Sequence, residues 1–115
     1  MGLLEKRKEQ LARAYNNKGI ALLDLERYEE AKDYFQLALD TYLDYKYYTN
    51  LGICLSELRE DAKALDIFDI AIEGLKKEVE FESDYRTIGS FDLIIKNDSN
   101  SNTSSSNLLF NFDDI

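Results

Sequence analysis

Tyr48-Thr49-Asn50-Leu51-Gly52-Ile53-Cys54-Leu55 repeats, 33 residues on, the pattern of Tyr15-Asn16-Asn17-Lys18-Gly19-Ile20-Ala21-Leu22. The match extends outward in both directions. Ala12–Tyr42 set above Tyr45–Leu75 gives 10 identities in 31 positions. Tyr15/Tyr48, Asn17/Asn50, Gly19/Gly52, Ile20/Ile53, Leu22/Leu55 and Leu25/Leu58 fall in the first half. Ala31/Ala64, Asp33/Asp66, Phe35/Phe68 and Ala38/Ala71 fall in the second. Self-similarity at this period marks an array of stacked helix pairs.

Within each unit the apolar residues recur at three and four, the period of a helix with one buried face. The pattern breaks at Leu25-Glu26-Arg27-Tyr28 and again at Leu58-Arg59-Glu60-Asp61. Each unit therefore reads as helix, short turn, helix. Gly19, Ala31 and Ala38 supply the small side chains that close helix packing requires. Phe35 and Phe68 supply bulk between the helices. A long coiled-coil hairpin would want sustained heptads and no glycine in its seam, so the repeat is the better reading.

These residues resemble the tetratricopeptide repeat (TPR) family. Its aromatic-x2-Leu-Gly-x2-Tyr pattern stands here as Tyr48-x2-Leu51-Gly52-x2-Leu55 and as Tyr15-x2-Lys18-Gly19-x2-Leu22. Its Ala-x3-Phe-x2-Ala pattern is complete in both units, and Arg27-Tyr28-Glu29-Glu30-Ala31 is similar to its turn. Lys18 replaces the usual Leu. Pro, usual after the second helix, is absent from the chain, and Leu43 and Lys76 occupy the equivalent places. Asp44 is positioned to cap the next helix in its stead.

The expected fold is all-α, a superhelix of about two and a half such repeats with a flexible C-terminal tail. Repeats at 12–44 and 45–78 and a capping helix near 83–96 form one domain over 1–96. Tyr85, Ile88 and Gly89 stand in the aromatic, Leu and Gly places of that cap. The remainder, 97–115, is a separate tail. Asn97–Asn107 holds only Asn, Ser, Thr and one Asp, a composition that cannot repay the entropy of ordering. Asp98, Asn100 and Asn102 mimic a calcium loop, but Thr103 and Leu109 stand where Gly and Glu are needed. Leu108–Ile115 reads as a docking peptide or as a segment that folds back on the domain.

Composition narrows the function. The chain of 115 residues carries 14 basic and 23 acidic side chains, a net charge of −9. That field opposes a grip on nucleic acid phosphates. His is absent and Cys54 is the single cysteine, so neither a Cys–His pair nor the commonest zinc ligand is available. No glycine-rich phosphate loop occurs. The expectation is a protein that is not an enzyme, with no catalytic residues, cofactor or metal. Charge within the first residues and the lack of a long apolar run predict no signal peptide and no membrane span. A cytoplasmic location follows as the default.

The resemblance implies a partner-binding groove lined by the first helix of each unit. The family's inward positions fall on Arg13, Asn16, Asn17, Ile20 and Leu23, and on Lys46, Thr49, Asn50 and Ile53. Asn17 and Asn50 are expected to bond a partner's backbone. Ile20, Leu23 and Ile53 form an apolar floor, and Arg13 and Lys46 meet an acidic group. The family's clamp for chaperone C-terminal carboxylates needs Lys and Asn where Asn16 and Ile20 stand, so that ligand class is disfavoured. A protein-binding adaptor is the leading expectation. The alternative is a structural segment of a larger scaffold, or an obligate oligomer without a peptide ligand of its own.

Overall fold

The computed structural model describes residues 2–85, the side chains as far as Ser83. Four helices follow one another: α1 (Leu3–Asp24), α2 (Tyr28–Thr41), α3 (Tyr45–Glu57) and α4 (Asp61–Tyr85). No strand occurs among the described residues. The α1–α2 and α3–α4 hairpins are the two repeat units, and α3 lies against α2.

The two intra-unit turns are built alike. After α1 the amide of Arg27 donates to Leu22 O and that of Glu26 to Leu23 O, both at 2.9 Å. After α3 the amide of Glu60 donates to Leu55 O at 2.9 Å and that of Arg59 to Ser56 O at 3.0 Å. This double closure satisfies the last carbonyls of a helix and requires one left-handed residue. Glu26 (φ 61°) and Arg59 (φ 65°) take that conformation without being glycine. The link between units works differently. Tyr42 is extended, and Asp44 Oδ1 accepts from the Lys46 amide at 2.9 Å, capping α3 without a proline.

The core explains the repeated residues. A methyl group added at Gly19 would lie 2.6 Å from the Phe35 ring, and one at Gly52 would lie 2.5 Å from the Phe68 ring. Each glycine lets its helix close onto the aromatic of its own unit. Ala31, Phe35 and Ala38 are fully buried, with Tyr47, Leu51, Cys54 and Leu55 packed from α3. Phe68 is only half-buried, because nothing described covers α4 as α3 covers α2.

α4 continues unbroken through 79–82, which lie between the expected end of the second repeat at 78 and the start of the expected cap at 83. In Lys76 to Glu82, where the apolar period loosens, the two lysines and three glutamates are good helix formers and no Gly or Pro intervenes, so α4 runs on. The rest of the expected cap (86–96), the linker and Leu108–Ile115 lie outside the described residues.

Candidate functional site

The 33-residue repeat sets Arg13, Asn17 and Ile20 on α1 at the positions that Lys46, Asn50 and Ile53 occupy on α3. Between the two helices Asn50 Nδ2 donates to Asn16 Oδ1 at 2.7 Å. Both side chains are completely buried. A bond between buried amides in a low-dielectric seam fixes the relative placement of the helices that carry it.

The nine expected groove residues therefore divide. Asn16 and Asn50 are interior and bonded to each other, which differs from the expectation that Asn50 faces a partner's backbone. Ile20 and Leu23 belong to the hydrophobic core rather than to an open floor. Arg13, Asn17, Lys46, Thr49 and Ile53 are half-buried, with part of each side chain at the surface. Arg13 is paired with Glu9 on its own helix at 3.1 Å, so its charge is already partly answered.

Beside this face lies a small polar cleft of about 270 Å³ in which Glu9, Arg13, Tyr42, Asp44, Tyr47 and Glu78 meet. Burial, with Asp44 nearby, pushes the Tyr47 phenol up to about 12. Burial, with Glu9 and Glu5 nearby, also raises Tyr42. Both phenols stay protonated at neutral pH and serve as hydrogen-bonding groups.

A larger cleft of about 410 Å³ opens between α2 and α4 over the back of α3, where Lys32, Gln36, Leu51, Leu55, Lys63 and Asp66 converge. The sequence reading missed it. One signal was present: Asp33 and Asp66 are among the repeated identities, both are exposed, and both line this cleft. A repeated exposed carboxylate has no packing reason to recur, unlike Gly19/Gly52.

Residues 12–42 match the family model described as the tetratricopeptide repeat. No curated protein and no solved structure matches the chain. Repeats of this family are protein–protein interaction modules. Among the described residues no helix is long and apolar enough to cross a membrane. The matched segment is the α1–α2 unit with its Gly19–Phe35 contact, which α3–α4 reproduces through Gly52 and Phe68. Residues 12–42 are thus a tetratricopeptide repeat, and residues 45–75 repeat its plan.

Proposed function

We propose that the chain is an adaptor that binds an extended segment or a helix of a protein partner across the α1–α3 face. The observation that carries this reading is the Asn16–Asn50 bond, which holds the two helices as one preformed surface. A preformed surface loses little entropy on binding. Arg13, Asn17, Lys46, Thr49 and Ile53 are the side chains on it with exposed atoms, so these five carry recognition. Asn16, Ile20, Leu23 and Asn50 act from beneath, by holding the helices that present them. The mixed chemistry suits a ligand with backbone amides, one apolar anchor for Ile53 and a carboxylate for Lys46.

The α2–α4 cleft supports a second reading, because its size would admit a side chain or short peptide and Leu51 and Leu55 form its floor. Affinity capture with three proteins separates the two. Thr49→Arg combined with Ile53→Glu should lower recovery of the wild-type partner by about tenfold or more, the loss typical of a central contact. Gln36→Arg combined with Lys63→Glu should leave it intact. The reverse pattern would move the site to the cleft. Retention by both variants would place the contact on neither face, and a wild type that captures nothing would favour the alternative of a scaffold segment with no peptide ligand of its own.

A further inference from the structure

The repeat supplies its own yardstick for what a covered face looks like. Within the chain, α2 covers α3, and Tyr47, Leu51 and Cys54 are buried with Leu58 half-buried. The positions 33 residues earlier on α1 are Ala14, Lys18, Ala21 and Leu25, and all four are exposed. With Leu4 and Leu11 they form a stripe along α1 at the three-and-four spacing of a packing face. At the other end the covering helix has none of the described helices to cover. Lys32, Phe35, Gln36 and Leu39 of α2 correspond to Leu65, Phe68, Asp69 and Ile72 of α4. Leu65 is 65% exposed and Ile72 54%, although Leu39 at the same place is packed into the core. Terminal faces of a repeat array ordinarily carry polar residues. The two outer faces among the described helices carry leucines and isoleucine instead.

We propose that copies of this chain stack head to tail, with α4 of one copy receiving α1 of the next in the register that α2 and α3 use within the chain. Charge favours this occupant. The α1 sequence has five basic and three acidic side chains, whereas α4 has three basic and eight acidic ones. The register makes the match specific. Gln36 of α2 and Leu51 of α3 line one cleft within the chain. Their counterparts in the stack are Asp69 of one copy and Lys18 of the next, an opposite-charge pair where the chain itself has a neutral one. Lys18 already lies at the rim, its Nζ 4.5 Å from the centre of the Tyr34 ring, and is exposed on its other side. Ile72 would meet Ala14, and Leu65 would lie along Lys18 and Leu22. A fold-back of residues 86–96 could cover α4 but would leave the α1 stripe open; a second copy answers both. This surface is separate from the α1–α3 face, so the proposal stands whether or not that face binds a partner.

Head-to-tail contact uses two different surfaces and does not close at two copies. Sedimentation of the full chain over a range of concentrations up to millimolar should show an average mass that rises past that of a dimer. Lys18→Glu and Asp69→Lys should each weaken association by about tenfold, roughly one like-charge contact. The double variant should recover to within about threefold of wild type, because the pair is restored with its signs exchanged. Added salt should weaken the wild type and the double variant alike. Leu65→Asp and Ala21→Glu, at exposed positions, should abolish the rise while leaving the helical circular dichroism of the dilute protein unchanged. A chain that stays monomeric throughout, a mass that stops at a dimer, or a double variant no better than the singles would overturn the proposal. So would a melting temperature lowered by Leu65→Asp to the same extent at every concentration, which would mean that α4 is covered from within its own chain.

Discussion

Cys54 shows what a repeated position does with its side chain. It stands where α1 has Ala21, yet it is fully buried, and its Sγ donates to Tyr28 O at 3.0 Å. It is therefore a small core residue with a weak donor that answers one turn carbonyl. Burial pushes its thiol up to about 11, from an ordinary value of 9. The folded thiol thus keeps its proton in a range where the unfolded one loses it. Its contribution is complete below pH 9 and is lost as pH rises from about 9 to about 11. Denaturant titrations across that window should show wild type losing more stability than Cys54→Ala, and an aromatic disulfide reagent at pH 8 should react only as fast as the chain opens. Rapid reaction of the folded protein would place Cys54 at the surface. Asn50 teaches the complementary lesson. Its recurrence with Asn17 was legible, but not its partner, because the bond joins Asn50 to Asn16, 34 positions away rather than 33. A seam between helices is not bound to follow the register of the repeat.

At the scale of the element, helices and turns were legible where apolar period and break coincide, at Leu25–Tyr28 and Leu58–Asp61. Asp44 was legible as a cap because a carboxylate before a helical run has a specific amide to accept. The end of α4 was not. A helix can run on past its packing partner when its residues favour it, and no breaker follows Gly74 before Tyr85. Nor was the strain in the turns visible, since nothing in the letters Glu26 and Arg59 announces a positive φ. Each residue bears the steric cost of a Cβ in the left-handed region, about 1 kcal/mol. Glu26→Gly and Arg59→Gly should each stabilise the protein by about 0.5–1 kcal/mol, the balance after glycine's greater freedom in the unfolded chain. Chemical denaturation with an unchanged slope is the measurement. A destabilised Arg59→Gly would mean that the arginine stem contributes more by packing than its backbone costs.

Across the whole molecule the two units share one plan but not one environment. Arrays of this kind draw their stability from each unit and from the interface with its neighbour. The α1–α2 unit has its aromatic, Phe35, sealed by α3, whereas Phe68 of the α3–α4 unit remains half-exposed. Both rings rest on a glycine in the same way, so the difference isolates the value of the neighbouring interface. Burying a Phe completely rather than halfway removes more apolar area from water, and truncation costs follow that area. Phe35→Ala should cost about 3–5 kcal/mol, near the limit of what a domain of this size survives. Phe68→Ala should cost roughly half as much. The same asymmetry should appear without mutation. At low concentration, amide exchange should be fastest in α4, intermediate in α3 and slowest in α2, because α2 holds the fully buried Ala31, Phe35 and Ala38 between α1 and α3 while α3 leans on the half-open α4. Equal protection of α2 and α4 in dilute solution would show that the outer face of α4 is covered within the chain. If protection of α4 rises with protein concentration while α2 stays constant, the missing cover is supplied by another copy.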